Sequence, residues 1–120
     1  MRAAYGAVEV GSAVVDDHFR VQARDNGRAR VLDCAGELDL AAAPALESEL
    51  ELALGAAFER IVVDLSELEF IDSTGLSVLV KAHQRAQDTG VELGIVNPTA
   101  QVERLLSLTG LSDRLALGEG

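Results

Sequence analysis

Residues 61–76 read IVVDLSELEFIDSTGL, and this stretch decides the fold class. It opens with the β-branched run Ile61–Leu65, a pattern typical of a strand that is buried on both faces. It closes with the small polar cluster Asp72–Gly75, and the apolar residues around and after this cluster have the helical spacing that predicts a helix over 74–88. A buried strand that leads into an amphipathic helix indicates an α/β domain with a largely parallel sheet.

The chain on either side of this stretch continues the alternation of strands and helices. Before this stretch, the sequence predicts a β-hairpin over Phe19–Ala35 with a tight turn at Asp25–Gly27, and then a helix over 41–57. After it, the sequence predicts a strand over Val91–Val96 and a helix over Thr99–Leu108, with Asn97 as N-cap and Pro98 in the first turn. The last predicted element is a short strand or irregular tail over Leu111–Leu117. Glycines interrupt residues 1–17, which we interpret as an N-terminal extension, either flexible or forming an edge strand at Ala13–Val15. Residues 18–120 are predicted to form one α/β domain, a four- to five-stranded mixed sheet with an N-terminal hairpin and three to four helices packed mainly on one face.

Composition and charge narrow the functional classes. The chain has 120 residues, of which 48% are apolar, and its net charge is −10. A nucleic-acid binder needs a basic face, so the surplus of acids argues against one. The only lysine is Lys81 and the nine arginines are scattered, which argues against a polybasic membrane patch. We find neither a signal peptide nor an apolar stretch of about 18 residues, and therefore expect a cytoplasmic protein.

The sequence contains few of the residue patterns that an enzyme active site needs. Ser73 as a nucleophile calls for the pattern Gly-x-Ser-x-Gly, and Ile71 breaks it. A serine triad also needs a nearby histidine, but His83 follows Ser73 by about 15 Å along the predicted helix, and we interpret His18 as a surface residue. Cys34 is interpreted as a small core residue, and two histidines without metal-ligand spacing make no metal site. We expect no enzyme activity, no metal and no cofactor.

The polar cluster Asp72–Gly75 has a structural and a functional interpretation. In the structural one, Asp72, Ser73 or Thr74 caps the helix, and Gly75 lets another element approach closely. Capping accounts for one of these polar residues and gives no role to the others. In the functional one, Ser73 lies in the first helical turn, where backbone N–H groups and the helix dipole favour negative charge, so that a phosphate is accommodated there.

A second segment, Gly36–Asp39 with the sequence GELD, by itself indicates the end of a strand with a capping aspartate. Together with Asp72–Leu76, in this order and within a strand–helix–strand frame, it resembles the STAS domain of bacterial anti-sigma factor antagonists. The resemblance covers about residues 19–117. It implies a single-domain protein that binds an anti-sigma factor, itself a serine kinase, and thereby frees a sigma factor for transcription.

The resemblance also implies roles for individual residues. Ser73 is the residue that the kinase phosphorylates, which ends binding, and a PP2C-type phosphatase reverses the modification. Asp39 lies close to the phosphorylation loop in the family and contributes to partner binding, and we expect Asp72, Ser73, Thr74 and Gly75 to contribute as well. The alternative is a STAS scaffold or small-ligand-binding module of a larger signalling or lipid-transport assembly, in which Ser73 is never phosphorylated.

Overall fold

The computed structural model describes residues 7–16, 18–108 and 116–118, with side chains described over 18–108. The elements are, in chain order, β1 (Ala7–Asp16), β2 (Phe19–Asn26), β3 (Ala29–Leu38), α1 (Ala43–Gly55), β4 (Arg60–Ile71), α2 (Ser73–Thr89), β5 (Glu92–Val96), α3 (Ala100–Leu108) and β6 (Ala116–Gly118). The strands form one sheet in the order β1-β2-β3-β4-β5-β6. β1, β2 and β3 pair antiparallel, and β3, β4, β5 and β6 pair parallel.

This mixed α/β sheet and its antiparallel hairpin over β2 and β3 confirm the predicted fold class. The strand count is higher than predicted, because the described residues form six strands rather than four to five. One edge strand is β1, which the sequence indicates only as an option over Ala13–Val15; it spans Ala7–Asp16 and pairs with β2 from Ala7 opposite Asn26 to Asp16 opposite Phe19. Its register shifts at two places, so the pairing tolerates a segment without a clean period of two. Parts of the predicted end segments lie outside the described residues, namely 1–6, 17 and 111–115.

The helices pack mainly on one face of the sheet, as predicted, and β4 shows which face this is. Ile61, Val63 and Leu65 are buried, whereas Val62 and Asp64 are only half-buried. The prediction that this run is buried on both faces is therefore wrong, because the β4 residues that alternate with the buried ones keep partial contact with solvent. The core combines the inward strand residues with apolar helix residues, among them Leu46, Leu50, Leu54, Leu76, Leu79, Ala82, Val102 and Leu106.

β4 extends six residues beyond the predicted strand end at Leu65, and two irregularities in its pairing account for this. Its register with β3 shifts between Asp33 and Ala35 and again between Gly36 and Glu37. Each shift adds one residue to β4, so the spacing of its buried residues changes from two to three, with Leu68 and Ile71 continuing the buried face. Because of these two bulges, β4 stays paired with β3 as far as Ile71, which lies beside the end of β3.

The turns and caps differ in detail from the sequence prediction. Asn26 still pairs with Ala29, so the hairpin turn is Gly27-Arg28 rather than Asp25–Gly27. The cap of α3 is Thr99, whose hydroxyl accepts a hydrogen bond from the Val102 amide at 3.3 Å, so Asn97 is not the N-cap and Pro98 precedes the helix. Cys34 is buried in the core, as predicted, at 1% exposure. No helix in the described part of the chain is long and apolar enough to cross a membrane.

Candidate functional site

The two sequence motifs meet at one edge of the sheet. Leu38, the last residue of β3, is the register partner of Ile71, the last residue of β4. The amide of Asp72 then donates a hydrogen bond to the Leu38 carbonyl at 3.1 Å. Because the two strands are parallel and neighbouring strands lie about 4.8 Å apart, Asp39 and Asp72 leave the sheet side by side. The fold thus brings together the motifs that the sequence separates.

Gly75 allows α2 to lie directly on this edge. A Cβ atom at this position would lie 2.8 Å from Cγ of Leu38 and 2.9 Å from Cγ1 of Ile71. Real Cβ atoms are not found that close to other heavy atoms, so with any larger residue either α2 or the side chains of Leu38 and Ile71 would have to shift. The prediction that Gly75 permits a close approach is confirmed, and the approaching residue belongs to the other motif.

Asp72 caps α2. Its backbone is extended, and its Oδ1 accepts a hydrogen bond from the Gly75 amide at 3.0 Å. Ser73 is the first helical residue and is exposed, while Thr74 is half-buried. Of the three capping candidates, the structure selects Asp72, so the Ser73 hydroxyl projects from the first turn without serving as the cap. The junction between strand and helix is a single residue.

Asp39 holds the turn between β3 and α1. Its Oδ1 accepts from the Ala42 amide at 3.0 Å, and its carbonyl accepts from the amides of Ala42 and Ala43 at 3.1 and 2.8 Å. The prediction that Asp39 caps a helix is wrong, because the N-cap of α1 is Ala42, which has no side-chain cap bond, and the Asp39 bonds close the turn that precedes the helix. The same Oδ1 lies 3.2 Å from Nε2 of His18, and this bond, followed by that from Ala42, holds the pKa of Asp39 below its ordinary value. The Asp39 side chain remains 33% exposed.

His18 is the residue that sequence reasoning missed. Interpreted as a surface residue, it is half-buried, and its backbone carbonyl accepts a hydrogen bond from the Glu37 amide at 2.8 Å. Gly36 makes room for this contact, since a Cβ there would lie 2.0 Å from the His18 carbonyl oxygen and its φ is +96°. A glycine inside a strand marks the close approach of another backbone, and Gly36 was the signal available in the sequence.

Two exposed apolar side chains border this edge. Leu40, directly after Asp39, is 71% exposed, and Phe70, shortly before Asp72, is 40% exposed. Exposed leucines are common singly, but these two flank the paired aspartates at the ends of adjacent strands. The edge therefore combines carboxylates, a serine hydroxyl and exposed apolar area.

Within the described ranges, no group of three or more histidine, cysteine or acidic side chains could hold a metal ion. His83 lies half-buried further along α2, and His18 is bound to Asp39.

The comparisons with known proteins agree with this arrangement. The STAS domain family matches residues 20–119, and the chain therefore belongs to that family. An anti-sigma-B factor antagonist of Listeria monocytogenes is 35% identical over 79 residues, which are 66% of this chain and 69% of the relative. The anti-sigma-F factor antagonist RsfB of Mycobacterium tuberculosis is 31% identical over 101 residues, covering 84% and 82% of the two chains. A crystal structure of an anti-sigma factor antagonist from Mycobacterium paratuberculosis has a TM-score of 0.76 at 29% identity, covering 84% and 86%.

Proposed function

We propose that this protein is a cytoplasmic bacterial anti-sigma factor antagonist, and that the edge formed by Asp39, Asp72 and Ser73 binds an anti-sigma factor with serine kinase activity. Binding sequesters that factor and releases its sigma factor. The observation that carries the proposal is the exposed position of Ser73 at the start of α2, beside the two aspartates. Membership of the STAS family and relatives named as antagonists support it.

Phosphorylation of Ser73 would end binding by electrostatics. The first turn of α2 offers backbone N–H groups and the positive end of the helix dipole, so a phosphate is tolerated without unfolding the helix. A phosphate brings about −1.5 to −2 charge beside Asp72 and close to Asp39. A partner that docks there then meets like charges that it must desolvate. Regulatory couplings of this kind are about 1–3 kcal/mol, or roughly 5- to 150-fold in affinity.

The remaining site residues have supporting roles in this proposal. Thr74 borders the serine, and the buried Gly75 contributes by seating the helix rather than through a side chain. Leu40 and Phe70 supply apolar area to the partner. Phosphate transfer belongs to the kinase and its ATP, and removal of the phosphate belongs to a PP2C-type phosphatase, so the antagonist itself needs no catalytic residue and no cofactor.

The test is a titration of the anti-sigma factor kinase of the same organism with unmodified and Ser73-phosphorylated protein. We expect the affinity to fall by about 5- to 150-fold on phosphorylation. Ser77, also exposed and one turn along α2, offers a matched control. Ser73→Ala should abolish phosphate incorporation, and Ser77→Ala should retain it. Equal affinity of the two forms refutes the switch.

One observation favours the alternative, a scaffold or ligand-binding module without phosphorylation. The open face of the sheet carries a cleft of about 320 Å³. It is lined by Arg20, Gln22, Asp33, Cys34, Ala35, Asp64, Ser66 and Glu67. Equal affinities in the titration, or a complex that persists after phosphorylation, would support this second function.

A further inference from the structure

His18 and Asp39 are joined although they belong to different parts of the chain. His18 lies directly before β2 and outside residues 20–119, which match the STAS family. Its carbonyl oxygen accepts a hydrogen bond from the Glu37 amide at 2.8 Å, and its Nε2 lies 3.2 Å from Oδ1 of Asp39. One residue is thus tied to the GELD segment through both its backbone and its side chain.

The backbone hydrogen bond fixes His18 in a position from which its side chain can reach Asp39. Gly36 lets the His18 carbonyl sit where a Cβ would otherwise collide with it at 2.0 Å, so the position of His18 against β3 is set by packing. From this fixed point, the imidazole reaches the carboxylate that also accepts a hydrogen bond from the Ala42 amide, in the turn before α1. Two donors on one oxygen leave the Asp39 carboxylate little freedom to rotate, while a third of the side chain still faces solvent.

We propose that His18 is a positioning residue, which holds the Asp39 carboxylate in the orientation that the anti-sigma factor binds. This inference rests on the proposed function, because it acts through the contribution of Asp39 to partner binding. A carboxylate fixed before the encounter loses less conformational freedom on binding than a mobile one, so the partner binds more tightly. The histidine itself need not touch the partner.

A double-mutant cycle tests this inference on the full chain, with the anti-sigma factor kinase that binds the unmodified protein as the probe. We expect His18→Ala to weaken binding by about 2- to 150-fold, the range of coupling between residues in contact. In the Asp39→Ala background, the same change should have no further effect. His18→Gln places an amide donor near the position of Nε2 and should restore most of the affinity. His83→Gln, which alters the other histidine, should bind like the wild type.

The outcomes separate the two proposals. If Asp39→Ala binds as tightly as the wild type, the role of Asp39 and that of His18 both fail. If Asp39→Ala weakens binding but His18→Ala does not, or if His18→Ala weakens the Asp39→Ala variant equally, the positioning role is overturned and the proposed function stands.

A readout without the partner completes the test. The Ala42 amide donates to the same Asp39 oxygen, so its proton resonance should shift in His18→Ala and return in His18→Gln. An unchanged resonance in His18→Ala contradicts the inference, because the carboxylate would then keep its place without the imidazole.

Discussion

The cap of α2 and the proposed phosphorylation site are different residues, and paired substitutions can separate their effects. The Asp72 carboxylate caps the helix through the Gly75 amide at 3.0 Å, whereas Ser73 is an exposed residue inside the first turn. Removing an N-cap side chain costs about 0.5–2 kcal/mol, so Asp72→Ala should lower the free energy of unfolding by about 1 kcal/mol. In a domain of this size, that corresponds to a fall in melting temperature of about 4 °C.

Ser73→Ala should behave differently. The change deletes one exposed hydroxyl, and alanine is the better helix former, so the free energy of unfolding should stay within about 0.5 kcal/mol of the wild type. The variant should nevertheless accept no phosphate from the kinase. Asp72→Asn is the matched control for the cap, because asparagine caps helices about as well as aspartate and should keep most of the stability.

The assay is urea unfolding followed by circular dichroism, with phosphate incorporation measured in parallel. We expect two independent losses, stability in Asp72→Ala and phosphorylation in Ser73→Ala. If Ser73→Ala unfolds as readily as Asp72→Ala, the assignment of the cap is wrong. If Ser73→Ala still takes up phosphate, the modified residue lies elsewhere.

Three further predictions follow from contacts at and near this edge. Gly75→Ala should destabilise the domain by about 1–3 kcal/mol in urea unfolding, because the new Cβ collides with Leu38, whereas a neutral effect would mean that α2 moves freely. The hydrogen bond from His18 lowers the pKa of Asp39 below its ordinary value of 3.8, so the ionised carboxylate stabilises the fold above that pH and the contribution is lost as pH falls through the lowered pKa. The difference in unfolding free energy between wild type and Asp39→Asn should therefore shrink below about pH 4, and a growing difference would contradict the bond. Burial raises the pKa of the Cys34 thiol, so Ellman's reagent should label it only on unfolding, and rapid labelling of the native protein would show an open core.

Much of the fold and the site follows from local patterns. The alternation over Phe19–Ala35 predicts the hairpin, and the strand-to-helix step at Asp72 places Ser73 at a helix start. These features depend on the spacing of residues near one another in the chain. The proximity of Asp39 to the loop at Asp72 is expected only from the resemblance to the STAS family, and the parallel pairing of β3 with β4 is what ends both strands at the same edge.

The features that the sequence did not predict depend on contacts between distant residues. The bulges of β4 change the spacing of its buried residues, so the stretch after Leu65 has no regular period to detect. The half-burial of Val62 reflects helices on a single face, and an apolar run cannot indicate how many faces are covered. The bond from His18 to Asp39 can be predicted only once the hairpin register is known, because the close approach to Gly36 is what brings the histidine beside Asp39.

The junction of one residue between β4 and α2 has a consequence for the enzyme that would phosphorylate Ser73. The serine already has helical backbone geometry and follows a strand fixed in the sheet, so it is presented as part of a folded surface. A short synthetic peptide spanning the same residues would not keep this shape, because isolated helices of that length are marginal in water. For the proposed phosphorylation, the kinase would have to recognise a shape assembled from two strands and a helix. Its specificity would then depend on an intact domain, and unfolded or newly synthesised chains would escape modification.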